Sequence, residues 1–152
     1  MNTRFTSRLM TGFLALGLMA SLPAVAADDK PKDGKQYHAV FEVSNGDIAR
    51  LQGVIRNVDN LRRALGPDAV SVEVVVHGGA ILSLTKEKSG EMAADYERLS
   101  KAGVVWAACN NSLINRKIDK SALLPFVTVV PSGVAELVQK QAEGWQYLLN
   151  SD

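Results

Sequence analysis

Residues 69–76 read AVSVEVVV, nearly continuous in valine. A strand with one face in water alternates apolar and polar residues, whereas an unbroken β-branched run fits a strand covered on both faces. Double coverage is the mark of a parallel sheet, because the crossovers joining parallel strands lay helices against it. This stretch therefore predicts an α/β domain, and its flanks can be read against that expectation.

Upstream, YHAVFEV (37–43) has the length and composition of another strand. Ser44, Asn45 and Asp47 follow as helix caps, and Ile48, Leu51, Val54, Ile55, Val58, Leu61 and Leu65 recur at helical spacing until Gly66-Pro67 ends the pattern. Downstream, His77-Gly78-Gly79 breaks the valine run and ILSL (81–84) adds a short apolar piece. A helix is predicted over 91–102, with Met92, Tyr96 and Leu99 on one face and Gly103 as its stop. VVWAAC (104–109) is the third strand, residues 110–125 a loop with one or two helical turns, and FVTVV (126–130) the fourth strand. Pro131-Ser132-Gly133 opens a helix with Val134, Leu137, Val138 and Gln141 in register, Gly144 closes it, and WQYLL (145–149) is a last short strand. Strands alternating with helices predict a single three-layer α/β domain over 37–150: a mostly parallel sheet of about five strands with helices on both faces.

The amino terminus has a different character. MNTRFTSR carries Arg4 and Arg8 without an acid, the apolar run 9–22 follows, and Ala24-Val25-Ala26 has the small-residue spacing of a cleavage site. This is the pattern of a cleaved secretory signal over 1–26, and the apolar run is shorter than the roughly 20 residues a membrane span needs. The short basic start is bacterial in style, so the expected destination is the periplasm. Residues 27–36 (ADDKPKDGKQ) read as a flexible leader. Losing Arg4 and Arg8 takes 17 basic residues to 15 against 16 acidic ones, a net charge of −1. With no basic block, neither nucleic acid nor, after signal cleavage, a membrane is an expected partner. Cys109 is the only cysteine, so no internal disulfide can form.

Ligands of open parallel sheets gather outside the carboxyl ends of the strands. Here those ends are Ser44-Asn45-Gly46-Asp47, His77-Gly78-Gly79, Cys109-Asn110-Asn111-Ser112 and Pro131-Ser132-Gly133. The candidate site residues are Cys109 as the chemical centre, with Asn45, Asp47, His77, Gly78, Gly79, Asn110, Asn111 and Ser132 as binding groups. Two readings of Cys109 stand. It is a thiolate nucleophile favoured by helix N-termini or by His77, or it packs as a small apolar side chain. His77 equally fits a loop histidine bonded to local backbone, and Asp47 fits a helix cap as well as an acid–base group.

Other chemistries lack their motifs. SNGDIAR has a single Gly after the first strand, so the dinucleotide fingerprint is missing, as are a GK[ST] phosphate loop and a C-x-x-C pair. His38 and His77 sit at opposite ends of neighbouring strands, roughly 20 Å apart at about 3.3 Å per residue, so no metal and no other cofactor is expected.

FEVSNGD, NVDNLRRALG, VEVVVHGGAILSL, GVVWAACNNSL and VPSGVAELVQKQAEGWQYL, taken in this order over Tyr37–Leu149, resemble the exported branch of the DsrE/DsrF-like family. The resemblance implies a compact α/β domain assembling as trimers or hexamers, in which a cysteine accepts and passes on sulfur as a persulfide. By position that role falls on Cys109, with a sulfur donor or acceptor protein and further copies of the chain as partners. The alternative is a non-catalytic oligomeric protein that binds a small ligand or acts as a scaffold, its cysteine buried and inert. A hydrolase or classical oxidoreductase has no motif behind it.

Overall fold

The computed structural model describes residues 34–149. The signal segment expected at 1–26 and the leader as far as residue 33 lie outside the described residues.

Five strands, β1 (Tyr37–Val43), β2 (Val70–Val76), β3 (Val105–Cys109), β4 (Thr128–Val130) and β5 (Gln146–Leu149), form one sheet in the order β4-β3-β2-β1-β5. Every pairing is parallel. The valine run is the central strand, with only Ser71 exposed. Side chains alternate along it: Val70, Val72, Val74 and Val76 enter the larger core, and Val75 the smaller one on the opposite face.

The connections explain the two faces. From β1 to β4 the chain steps across the sheet in one direction, and right-handed crossovers moving one way put their helices on one face. Helices α1 (Ile48–Leu65), α2 (Ala93–Lys101) and the short α3 (Asn110–Asn115) accordingly contribute Leu51, Val54, Tyr96, Leu99 and Leu113 to the larger core. The chain then returns from β4 to the far side of β1, and this reversal carries α4 (Gly133–Ala142) to the other face, where Leu137 meets Val40, Val75, Ala107 and Val130.

Local chemistry sets the element ends. Asp47 caps α1 by accepting from the Ala49 and Arg50 N–H groups at 2.9 and 3.3 Å, and Arg62 and Arg63 complement the helix dipole in its last turn. Trp106 anchors the larger core: it is 1 % exposed, its ring stacks tilted on Tyr96 at 4.5 Å, and its Nε1 donates to the Tyr96 carbonyl.

Some expectations need correction. ILSL belongs to a 3₁₀ helix, Gly78–Leu84, that buries Ala80, Ile81, Ser83 and Leu84, and the helix expected over 91–102 starts as a 3₁₀ turn, Gly90–Met92, before α2. β4 spans 128–130 rather than 126–130, because Phe126 and Val127 pack against the core ahead of the ladder. Val134 and Val138 share the helical register of Leu137 but are 61 and 66 % exposed. Helix α4 lies alone on its face, so only a narrow stripe touches the sheet.

Candidate functional site

The loops after β3 and β4 leave in opposite directions, α3 to the larger core and α4 to the other face. Such a reversal opens a crevice between the carboxyl ends of the two strands. Cys109 is the last residue of β3, on the α4 side, paired with Val130 of β4. The chain does not crowd it there, because Gly133 begins α4. A Cβ on Gly133 would lie 3.1 Å from the His77 Cβ and 3.3 Å from the Cys109 Cβ. Glycine lets the helix start come down onto both side chains at once.

Two helix starts therefore converge on one sulfur. Burial pushes the Cys109 thiol up, but hydrogen bonds from the Ser112 hydroxyl and from the backbone N–H groups of Gly133, Ser112 and Asn111 outweigh it and bring the thiol below its ordinary value. Donors aimed at the anionic form favour thiolate, the nucleophilic state. The side chain is 5 % exposed, so the sulfur is nearly enclosed by the groups that acidify it.

Beside the thiol, the strand ends carry a polar row on the same face. His77, directly after β2, shares its Nε2 with Glu42 of β1 at 2.8 Å, and the Tyr147 hydroxyl of β5 donates to the other Glu42 oxygen. Burial raises the Glu42 carboxyl, yet Tyr147 and His77 together hold it below its ordinary value. The same contact pushes the Tyr147 phenol up to about 12. An imidazole held this way has its ring orientation set by the carboxylate behind it.

The β2 loop is stitched to α3. Gly78 N–H donates to the Ser112 hydroxyl at 2.9 Å, and its carbonyl accepts from the Arg116 Nε at 2.9 Å. Gly78 has φ +55°, and a Cβ there would lie 2.9 Å from the Ser44 carbonyl oxygen, so no other residue fits. Ser112, Gly78, Asn115 and Arg116 line an open cleft of about 350 Å³ at the start of α3.

The structure brings Cys109, His77, Gly78 and the Asn111 backbone together, with Ser132 at the start of α4, where its hydroxyl accepts from Ala135 N–H at 3.5 Å. Asn110 opens α3. Gly79 N–H donates to the Ser44 carbonyl, which docks the loops after β1 and β2 on each other. Asn45 and Asp47 stand apart: Asn45 accepts from Asp47 N–H at 3.0 Å, and both serve the start of α1. Among the described residues no group of three or more His, Cys, Asp or Glu is placed to hold a metal ion, and no helix is long and apolar enough to cross a membrane.

Sequence reasoning missed Glu42, Tyr147, Ser112 as a thiol partner, and Arg116. The alternation of YHAVFEV carried the signal for Glu42, which falls on the same face as Val40 at the strand end. Arg116 stands four residues after Ser112, one helical turn on.

The sequence model of the DsrE/DsrF-like family matches residues 44–149. Among solved structures, the protein of unknown function MTH1491 from Methanobacterium thermoautotrophicum is 35 % identical, with a TM-score of 0.71, over 75 % of this chain and 99 % of its own. The ychN protein from E. coli shares the fold at 18 % identity and a TM-score of 0.59, over 76 % of this chain and 98 % of its own. No curated protein matches the chain.

Proposed function

The chain belongs to the DsrE/DsrF-like family, and on that premise we propose that it is a sulfur carrier holding sulfur as a persulfide on Cys109. The observation that carries this reading is the thiol at the strand reversal, where β3 hands over to α3 and the start of α4 comes down on it, a Cβ on Gly133 lying 3.3 Å from the Cys109 Cβ. Loading needs a thiolate. That thiolate attacks the terminal sulfur of a polysulfide, a new S–S bond forms as the old one breaks, and the shortened polysulfide leaves with the electron pair. His77, oriented by Glu42 and packed with Cys109 against Gly133, is the group proposed to take or return a proton when the load is passed on.

In this reading the amino-terminal segment is a cleaved signal and the carrier works in the periplasm as a homotrimer or hexamer, exchanging sulfur with a donor or acceptor protein. Self-association draws support from apolar side chains left exposed, Val134 and Val138 on α4 and Leu148 and Leu149 on the edge strand β5.

Intact-mass analysis tests the proposal. Polysulfide treatment should add about 32 Da per sulfur to the wild type and nothing to Cys109→Ser, since the persulfide forms on the thiol. An unchanged wild-type mass sinks the reading. The burial of Cys109, at 5 % exposure, favours a second one: an oligomeric binding or scaffold protein with an inert cysteine. That version predicts thiol labelling only on addition of denaturant.

A further inference from the structure

Helix α4 rests on the sheet by a narrow stripe. Gly133 and Leu137 are its buried residues, while Val134 and Val138 face away from the core. Leu137 meets only the small cluster of Val40, Val75, Ala107 and Val130. So little apolar contact leaves the seating of the helix open to the charges beneath it.

Those charges gather on Glu73 of β2, a carboxylate 5 % exposed. From α4 the Lys140 Nζ reaches it at 3.5 Å, and the same ammonium serves Glu143 at 3.5 Å and Glu136 at 3.8 Å. Lys140 also lies 4.7 Å over the Trp145 ring, which packs on His38 of β1 with 5.2 Å between ring centroids. The register partners of Glu73 on the neighbouring strands are Val40 and Val105, and neither brings a charge. The buried carboxylate therefore depends on one cation that two other carboxylates share. Burial and repulsion from Glu136 hold its carboxyl above the ordinary value despite Lys140. Lifting α4 returns Glu73 to water, where it titrates as an ordinary carboxyl.

The other end of the same helix covers the thiol. A Cβ on Gly133 would lie 3.3 Å from the Cys109 Cβ, and ten residues, about 15 Å of helix, join that contact to the cluster. We propose that Glu73, Glu136 and Lys140 form a pH-sensitive latch on α4, closed while Glu73 holds a proton and released as the pH rises, and that release bares Cys109. The latch stands on the packing of α4 alone, and its consequence for sulfur loading rests on the persulfide reading. Opening passes the Glu73 proton to water wherever the pH lies between the open and closed titration points. Within that window the open population grows with pH, by up to about tenfold per pH unit for one proton.

Amide hydrogen exchange of the full protein, corrected for the intrinsic effect of pH, tests the latch. Amides of α4 should exchange ahead of those of β2, and their protection should fall as the pH rises from about 5 to about 8. Glu73→Gln should flatten that dependence. Glu136→Gln, which leaves Glu73 one competitor fewer for Lys140, should end it at lower pH. Helix amides that exchange only together with β2, protection that ignores pH in the wild type, or an equal pH dependence in Glu73→Gln each overturn the latch. The wild-type series needs no variant, so a poorly folding Glu73→Gln does not shield the proposal. At the upper end of the range Glu73→Gln should load Cys109 from polysulfide more slowly than wild type, by up to about tenfold. Equal rates overturn the control of access. Loading in neither protein overturns the persulfide reading, while the exchange data still decide the latch.

Discussion

Glu73 and Cys109 lie on one face of the sheet beneath α4, each 5 % exposed, yet the Glu73 carboxyl is held above its ordinary pKa and the Cys109 thiol below. Burial opposes the anion in both. At the amino end of the face, Glu73 has the Lys140 ammonium at 3.5 Å, shared with Glu143 at 3.5 Å and Glu136 at 3.8 Å and lying 4.7 Å over the Trp145 ring. One flexible cation divided among three carboxylates does not offset desolvation, and Glu136 adds repulsion. At the carboxyl end, the thiol meets backbone donors fixed by two helix starts. Such donors cost no reorganisation when charge appears. Two groups of equally low exposure thus serve as a structural tether at one end and a candidate reactive group at the other, and their surroundings differ in the donors they offer.

The largest expected effect comes from disturbing those donors. Gly133→Ala puts a methyl 3.1 Å from the His77 Cβ and 3.3 Å from the Cys109 Cβ, so α4 or its neighbours must give and the Gly133 N–H moves relative to the sulfur. A hydrogen bond to a charged group is worth about 1.5–3 kcal/mol, so alkylation of the thiol at neutral pH should slow by on the order of tenfold. An unaltered rate would mean that Gly133 is there for packing alone.

The tether predicts a stability change instead. Lys140→Met leaves Glu73 buried without its cation and should cost about 1–3 kcal/mol in chemical denaturation, while Glu73→Gln beside an intact Lys140 should stay within about 1 kcal/mol. Equal costs for the two variants would contradict the comparison. Smaller again is Glu42→Gln, which weakens the hold on His77. Sulfur loading should fall by roughly threefold, with an altered pH profile, because a neutral acceptor replaces a charged one.

The smallest effect at neutral pH is Tyr147→Phe. The folded phenol titrates near 12, whereas the unfolded one titrates near 10, so between these values the folded state binds more protons and stability falls as pH rises. The Phe variant should lack that slope. Cys109 runs the other way: its folded pKa is depressed, so stability should rise with pH from that value up to about 8.5, where an unfolded thiol titrates, and Cys109→Ser should remove the rise.

Much of this fold was legible because its signals are local. The valine run, the Gly66-Pro67 stop and the Ser132 start act through backbone geometry that a short window contains. The strand-end rule likewise placed Cys109, His77 and Gly78 on one edge. The row of Glu42, His77 and Tyr147 was not legible, because it depends on which strands are neighbours, and β5 reaches β1 only through the reversal after β4. Asn45 and Asp47 sat on the correct edge, but helix capping claims their side chains. The exposure of Val134 and Val138 shows a register without a second layer to fill it.

The central claim is that the groups around the buried Cys109 hold its thiol below the ordinary value. Ultraviolet thiolate absorbance as a function of pH, with the Cys109→Ser signal subtracted, measures this directly in folded and in denatured protein. The folded midpoint should lie below the denatured one; a folded midpoint at or above it would show that these groups do not acidify the thiol.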